Sequence, residues 1–269
     1  MRDALNRGPI WREFTLAQNA LAIDNVARAF HLPRPKAKTA IIEMLSALRK
    51  LIDEQSISRG TLARLIELLG KHNYELILDD PTLMGATSTQ VIGTEALTVL
   101  AGHNNSEKIA SHAATEAQIS QMIAEYLLPV VAAMFMGALS ARTRGSLLAL
   151  ARNEEVGDVD NRPAERPASS NPLPIGRGSS GFFSGATIKF PGAGQELEKL
   201  YVDLAERIRA GGEDDAINIA RRIMAEGVGV RPRNAAWLAE TQRWALTTVQ
   251  EASRHIQERL RNLRSRQDK

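Results

Sequence analysis

The sequence MIAEYLLPVVAAMFMGAL, residues 122–139, decides how the chain folds, because a stretch this apolar has to be buried. It holds one charged side chain, that of Glu125, and its uninterrupted apolar part covers residues 126–139. These 14 residues fall short of the roughly 20 that a bilayer-spanning helix needs. The stretch therefore predicts a buried core helix, with an interfacial or partner-binding helix as the alternative. Pro129 predicts a kink or a new helix, because proline lacks the N–H that a helix interior uses.

The composition of the whole chain is typical of a helical protein without an obvious chemical centre. The 269 residues are 43% hydrophobic, and Ala, Leu, Glu and Arg, which favour helices, are frequent. The absence of cysteine excludes disulfides, cysteine zinc sites, iron–sulfur clusters and a thiol nucleophile. A net charge of +3 is too small to indicate nucleic-acid binding by itself. The N-terminal residues lack the apolar core of a secretory signal, so we expect a cytoplasmic protein.

Composition divides the chain into three regions. Residues 1–152 show helical periodicity, and residues 195–269 show it again and end in a basic tail. Between them, residues 153–194 contain five Pro and seven Gly, which is typical of a linker. The sequence thus predicts an all-α protein with an N-terminal multi-helix domain, a Pro/Gly/Ser-rich linker, and a C-terminal helical bundle with a long terminal helix.

Local signals predict where several helices begin and end. An apolar stripe predicts one helix over residues 15–30. Ser58 is expected to cap the N-terminus of a helix that starts after it. Asn105 is expected to cap a short helix, and the Thr-Glu-Ala-Gln pattern at residues 115–118 is a capping box that predicts the start of the next one.

Two histidines and nearby carboxylates are candidates for a metal site. His103 and His112 would need a third ligand, such as Glu107 or Glu116, together with supporting hydrogen bonds. Their spacing matches no recognised ligand pattern, so surface or capping roles are favoured. The sequence therefore indicates no metal ion and no cofactor.

Two further motifs each have a structural interpretation and a functional interpretation. Asp79 and Asp80 could form a paired-carboxylate site, but Asp80 followed by Pro81 is typical of a helix start, and this interpretation is favoured. The glycine-rich residues 176–181 could cradle a phosphate, but they lack the flanking strand and helix of a nucleotide-binding loop. No acid, base and nucleophile converge in the sequence, so we expect a protein that is not an enzyme.

Partner-binding residues are expected outside the helical core. The linker carries three phenylalanines, which indicate docking on a helical domain or a short partner-binding motif; these are Phe182, Phe183 and Phe190. The C-terminal tail is rich in arginine and is interpreted as a solvated helix end, with nucleic-acid phosphates or an anionic membrane surface as alternatives; its arginines are Arg254, Arg259, Arg261, Arg264 and Arg266.

The segment from about residue 88 to 150 contains GTEALTVLAG at 93–102, IASHAATEAQI at 109–119, and LLPVV at 127–131 followed by MGAL at 136–139. With these motifs the segment resembles the YidB-like family of bacterial helical proteins of unknown function. The Gly-rich connections of that family are replaced here by Asn-Asn-Ser-Glu at 104–107. The resemblance implies an all-helical cytoplasmic domain and transfers no catalytic residue.

Together these observations predict a noncatalytic bacterial cytoplasmic protein that binds a partner protein or associates with itself. The alternative is a nucleic-acid-associated or regulatory protein that uses the basic C-terminal helix. No transmembrane span is expected.

Overall fold

The structure is a computed structural model that describes residues 8–52, 57–153, 193–211 and 214–229. These residues form helices without any strand, which confirms the predicted all-α class. They belong to one compact unit that extends to Val230. A second unit covers residues 231–269, all of which lie outside the described residues.

The described part of the chain contains ten α-helices and one short 3₁₀ helix. In chain order they are α1 (Pro9–Ala20), α2 (Ala22–Ala29), α3 (Arg34–Leu51), α4 (Arg59–Lys71), α5 (Tyr74–Asp79), the 3₁₀ helix (Pro81–Leu83), α6 (Thr87–Leu100), α7 (Gly102–Ala117), α8 (Gln121–Ala151), α9 (Ala193–Ala210) and α10 (Asp214–Gly227).

The apolar stretch forms the centre of α8, a 31-residue helix around which the others pack. Every residue from Leu127 to Ser140 is buried, and α8 contacts α1, α3, α5, α6, α7, α9 and α10. The predicted core helix is therefore present. The expectation of a second helix beginning at Pro129 is wrong, because α8 continues through this proline. Among the helices described, α8 alone is long and apolar enough to cross a membrane, yet 78% of its apolar window is buried inside the unit.

Two glycines allow the helices around α8 to approach closely. A Cβ atom on Gly93 of α6 would overlap the carbonyl of Pro129, and one on Gly137 of α8 would overlap the carbonyl of Tyr74 on α5. Glycine is therefore required at both crossings, because any larger residue would push the helix backbones apart.

The last three residues within the bounds of α1 depart from helical geometry and form a sharp break before α2. Gln18, Asn19 and Ala20 have φ angles of 53°, 57° and 65°, a left-handed conformation that costs a non-glycine residue roughly 1–2 kcal/mol. The predicted single helix over residues 15–30 is therefore wrong. Phe14 and Ile23 are both buried, but nine residues at 100° each would place them on opposite sides of an unbroken helix. The break turns both side chains toward one core.

Helices α9 and α10 pack into the same core as the first region. Their buried side chains, including Tyr201, Leu204 and Ile217, belong to one apolar cluster with those of α4 and α8. The strongest pairing of α9 is with α4, where Tyr201 packs on Gly70. Helices α9 and α10 thus bury their apolar faces on the first region, and the predicted domain at 195–269 stays a prediction, because residues 230–269 lie outside the described residues. Residues 154–192 of the predicted linker, and the predicted long terminal helix, lie outside the described residues.

Two arginines hold the C-terminal end of α10. Arg49 of α3 donates a hydrogen bond from Nη2 to the carbonyl of Gly229 at 2.6 Å, and Arg142 of α8 donates from Nε to the carbonyl of Gly227 at 3.0 Å. The last carbonyls of a helix generally lack intrahelical N–H partners, and the two guanidinium groups bind carbonyls at and just beyond the end of α10. Their positive charge also interacts favourably with the negative end of the helix dipole.

Candidate functional site

The first candidate is a polar group at the end of α4, which we call the His72 cluster: Lys71, His72, Tyr74 and Glu95. His72 follows the last residue of α4 and has extended backbone angles, which turn its side chain toward α6. Its Nε2 lies 2.7 Å from Oε2 of Glu95, and Nζ of Lys71 lies 2.6 Å from the other carboxylate oxygen. The ring of Tyr74 meets the imidazole edge to face at 5.5 Å. Helices α4, α5 and α6 are joined here.

Burial sets the protonation states of the cluster. Desolvation lowers the pKa of His72, although the hydrogen bond and the charge of Glu95 act to raise it. Burial acts to raise the pKa of Glu95, but hydrogen bonds from Lys71 and His72 outweigh it and hold this pKa below its ordinary value. Burial raises the pKa of Tyr74. At neutral pH the imidazole of His72 is therefore neutral, the carboxyl group of Glu95 is ionised and the phenol of Tyr74 is protonated.

Two buried polar atoms of the cluster have no hydrogen-bond partner among the described residues. They are Nδ1 of His72 and the hydroxyl oxygen of Tyr74. With Nε2 donating to Glu95, Nδ1 is the unprotonated nitrogen of a neutral ring. The cluster has the geometry of a structural clamp, because each charged group is paired with another member.

The second candidate is an exposed apolar face on the first turns of α8, formed by Met122 and Tyr126. The two residues are four apart and therefore adjacent on one side of the helix, and they are 64% and 63% exposed. Ser120 caps this helix by accepting a hydrogen bond from the N–H of Ile123. Gln90 of α6 donates a hydrogen bond from Nε2 to the carbonyl of Tyr126 at 2.9 Å. The face is thus held on a fixed backbone.

The histidines proposed as metal ligands lie beside different carboxylates. Nε2 of His103 lies 3.1 Å from Oε1 of Glu107 in the next turn, while Nε2 of His112 lies 3.5 Å from Oε2 of Glu43 on α3. Within the described ranges no three His, Cys, Asp or Glu side chains are grouped as metal ligands would be.

The favoured interpretation of Asp80 is confirmed. Its carboxylate accepts hydrogen bonds from the N–H and the hydroxyl of Thr82, at 2.8 and 2.7 Å, and so caps the 3₁₀ helix that begins at Pro81. Asp80 is thus a helix cap.

The other predicted site residues lie outside the described residues. These are the tail arginines Arg254, Arg259, Arg261, Arg264 and Arg266, and the linker phenylalanines Phe182, Phe183 and Phe190. The glycine-rich residues 176–181 are also outside them. The roles assigned to all of these residues stay predictions.

The comparisons with known proteins describe the part of the chain that surrounds α8. Residues 14–142 match a family described as "Bacterial protein of unknown function (DUF937)". The match covers α2 to α7 whole and reaches most of α8. It is compatible with the YidB-like resemblance. No curated protein and no solved structure matches the chain significantly.

Both candidate sites were missed or misplaced by reasoning from the sequence. His72 was not among the predicted site residues, and its contact with Glu95 joins residues that are 23 positions apart. Met122 and Tyr126 lie in the stretch that was predicted to form a buried core helix. Because α8 is apolar on all sides, its sequence carries no strong periodic signal to show which residues face outward.

Proposed function

We propose that this protein is a noncatalytic bacterial helical protein that associates with a second copy of itself through the exposed face of Met122 and Tyr126. The observation that carries the proposal is the exposure of these two large apolar side chains side by side on the central helix. Adjacent exposed apolar groups mark contact sites more often than isolated ones do. Tyrosine and methionine are also enriched in the centres of protein interfaces.

The rigidity of this face supports the proposal. The backbone beneath it is fixed by the Ser120 cap, by the hydrogen bond from Gln90, and by the close packing of Gly93 on Pro129. A face that is already ordered loses little conformational entropy on binding. A second copy is the occupant proposed, because most soluble oligomers are homo-oligomers whose two-fold interfaces use the same patch on both subunits.

The test is the molar mass of the full chain, measured by light scattering over a range of concentrations. We expect a concentration-dependent dimer, and we expect Met122→Gln/Tyr126→Gln to weaken it at least tenfold. Glutamine keeps helix propensity and removes the apolar surface. The matched control is Glu125→Gln, an exposed change on the same turn, which should leave the dimer unchanged. A chain that stays monomeric throughout, or a dimer insensitive to the double substitution, would contradict the proposal.

The second candidate function is nucleic-acid association through the arginines of residues 254–266. The observation that favours it is a tail whose basic residues outnumber its acidic ones. Contact with duplex phosphates would make log K fall with log salt by about 0.9 per phosphate. Removal of residues 259–269 should then weaken duplex binding and flatten this dependence. Duplex binding that is absent at physiological salt would exclude this candidate.

A further inference from the structure

The break between α1 and α2 is unusual because the sequence contains nothing that requires it. Residues 10–32 include neither glycine nor proline, yet three consecutive residues, Gln18, Asn19 and Ala20, adopt left-handed backbone angles. We call residues 18–20 the hinge. Left-handed conformation is rare for such residues, and three in succession are held only where the surrounding structure compensates for the strain.

The compensation comes from one side chain. The amide of Gln18 is buried; its Nε2 donates to the carbonyl of Leu78 at 3.1 Å, and its Oε1 accepts from Nδ2 of Asn25 at 2.7 Å. Asn19 and Ala20 are exposed, so no buried side-chain contact of theirs stabilises the bend. The closed hinge thus depends on the Gln18 bonds and on the burial of α1.

The local preference of the same residues is a continuous helix. With the hinge straightened, residues 9–29 would form one helix about 30 Å long at 1.5 Å per residue. Phe14 and Ile23 would then lie on opposite sides, as would Ala17 and Val26, since each pair is nine residues apart. All four are buried in the closed form. A straightened chain therefore cannot keep both halves in its own core.

We infer that the hinge allows two copies of this chain to exchange α1. In the exchanged dimer, α2 stays in its own core while Ile10, Phe14 and Ala17 fill the place of α1 in the other copy. That place is built by α5 and α8, which α1 contacts in the closed form. The contacts of α1 are thus formed again between the two chains, and the strain of the hinge is released. Both effects favour domain swapping, in which protomers exchange an identical element. This inference concerns a different part of the molecule from the Met122–Tyr126 face.

The test changes the hinge without changing the contacts of α1. Asn19→Gly/Ala20→Gly should favour the closed form, because glycine adopts positive φ without penalty and disfavours the straight helix. Asn19→Ala should favour the straight helix, because asparagine tolerates positive φ better than alanine. After refolding of the full chain from urea at high protein concentration, we expect the first variant to lower the dimer fraction and the second to raise it. Each effect should be at least about fivefold.

A control separates hinge strain from strain elsewhere. Gln118 has a φ of 52° at the exposed end of α7. Gln118→Gly relieves the same kind of strain outside the hinge, so it should raise stability and leave the dimer fraction unchanged. Exchange also predicts slow mixing of tagged and untagged dimers, because α1 must detach first.

The outcomes separate this inference from the proposed function. A dimer that responds to Met122→Gln/Tyr126→Gln but not to the hinge variants overturns the exchange and leaves the proposed function standing. A slowly mixing dimer that responds only to the hinge variants supports the exchange and overturns the proposed interface. A chain that stays monomeric in every variant overturns both.

Discussion

Nε2 of His72 lies 2.7 Å from Oε2 of Glu95, and the side chain of His72 is buried while that of Glu95 is partly exposed. An exposed pair of this kind would raise the pKa of histidine. Here desolvation of the imidazole is the larger effect, so the ring is neutral at pH 7 and donates one hydrogen bond. Protonation would create a second N–H, at Nδ1, with no acceptor among the described residues. Protonation of the buried ring therefore destabilises the fold, although the contact with Glu95 by itself favours the charged imidazole.

The first prediction is that stability falls as the pH is lowered below about 6.5. In the unfolded chain His72 has its ordinary pKa of 6.5, whereas in the folded chain the pKa is lower. The unfolded state then binds more protons, so the free energy of unfolding decreases as the pH falls. The lowered pKa of Glu95 adds a further loss below its ordinary value of 4.5. Urea midpoints measured between pH 7.5 and 5 will show the first step.

Histidine variants identify the group whose protonation causes the loss of stability at low pH. His72→Gln keeps an amide that can donate to Glu95 but cannot titrate, so its midpoint should change less between pH 7.5 and 5. His103→Gln, at a side chain that is 86% exposed, should retain the dependence of the unmodified protein. Equal slopes for the unmodified protein and His72→Gln would show that another group is responsible.

The second prediction is that Val131→Asp unfolds the described unit. Val131 is fully buried in α8, and an unpaired carboxylate there has no compensating charge. We expect the free energy of unfolding to fall by more than about 4 kcal/mol, which is a large part of the 5–15 kcal/mol by which a typical domain is stable. Circular dichroism and thermal melting measure it. Val91→Asp, at an exposed valine of α6, is the matched control and should stay folded. A folded Val131→Asp protein would mean that α8 is not a core helix.

The third prediction concerns the crossing of α6 and α8. Gly93→Ala places a methyl group against the carbonyl of Pro129, and overpacking of this kind costs about 1–3 kcal/mol. Gly60→Ala in α4 is the control, because a Cβ there meets only Oγ of Ser58 at 4.0 Å. That change should stabilise the protein by about 0.5–1 kcal/mol. Chemical denaturation measures the change in the free energy of unfolding for each variant. A change of the same sign for both variants would contradict the close crossing.

Capping signals show how far local sequence predicts this fold. Ser58 was expected to cap α4, and its hydroxyl accepts a hydrogen bond from the N–H of Thr61. The capping box at Thr115 is wrong, because Thr115 lies inside α7 and Ser120 caps α8 instead. Asn105 likewise lies inside α7, which begins at Gly102. A cap needs only a side chain and a nearby N–H, so several candidates fit each boundary and packing selects among them.

Features that depend on distant residues could not be read from the sequence. Pro129 is a helix breaker by local rules, but burial of the residues around it keeps α8 continuous. The bend at residues 18–20 is the opposite case, since local preference favours a helix and the shared core requires a break. The exposure of Met122 and Tyr126 and the pairing of His72 with Glu95 also depend on how α6 lies across α8 and α4.

The last prediction concerns the place of α9 and α10. Tyr201, Leu204, Ile208 and Ile217 are all buried in the core that they share with α4 and α8. Burial of each large apolar side chain contributes about 1.5–3 kcal/mol, so together they match the whole stability of a typical domain. A fragment ending at residue 153 should therefore lack a cooperative thermal transition, whereas a fragment ending at residue 230 should have one. In the full chain, Tyr201→Ala should lower the free energy of unfolding by about 3–5 kcal/mol, as removal of a buried aromatic ring does. The control is Lys199→Ala, at an exposed position of the same helix, which should lower it by less than about 0.5 kcal/mol. Cooperative unfolding of the shorter fragment would contradict this prediction and support the separate N-terminal domain that the composition predicts.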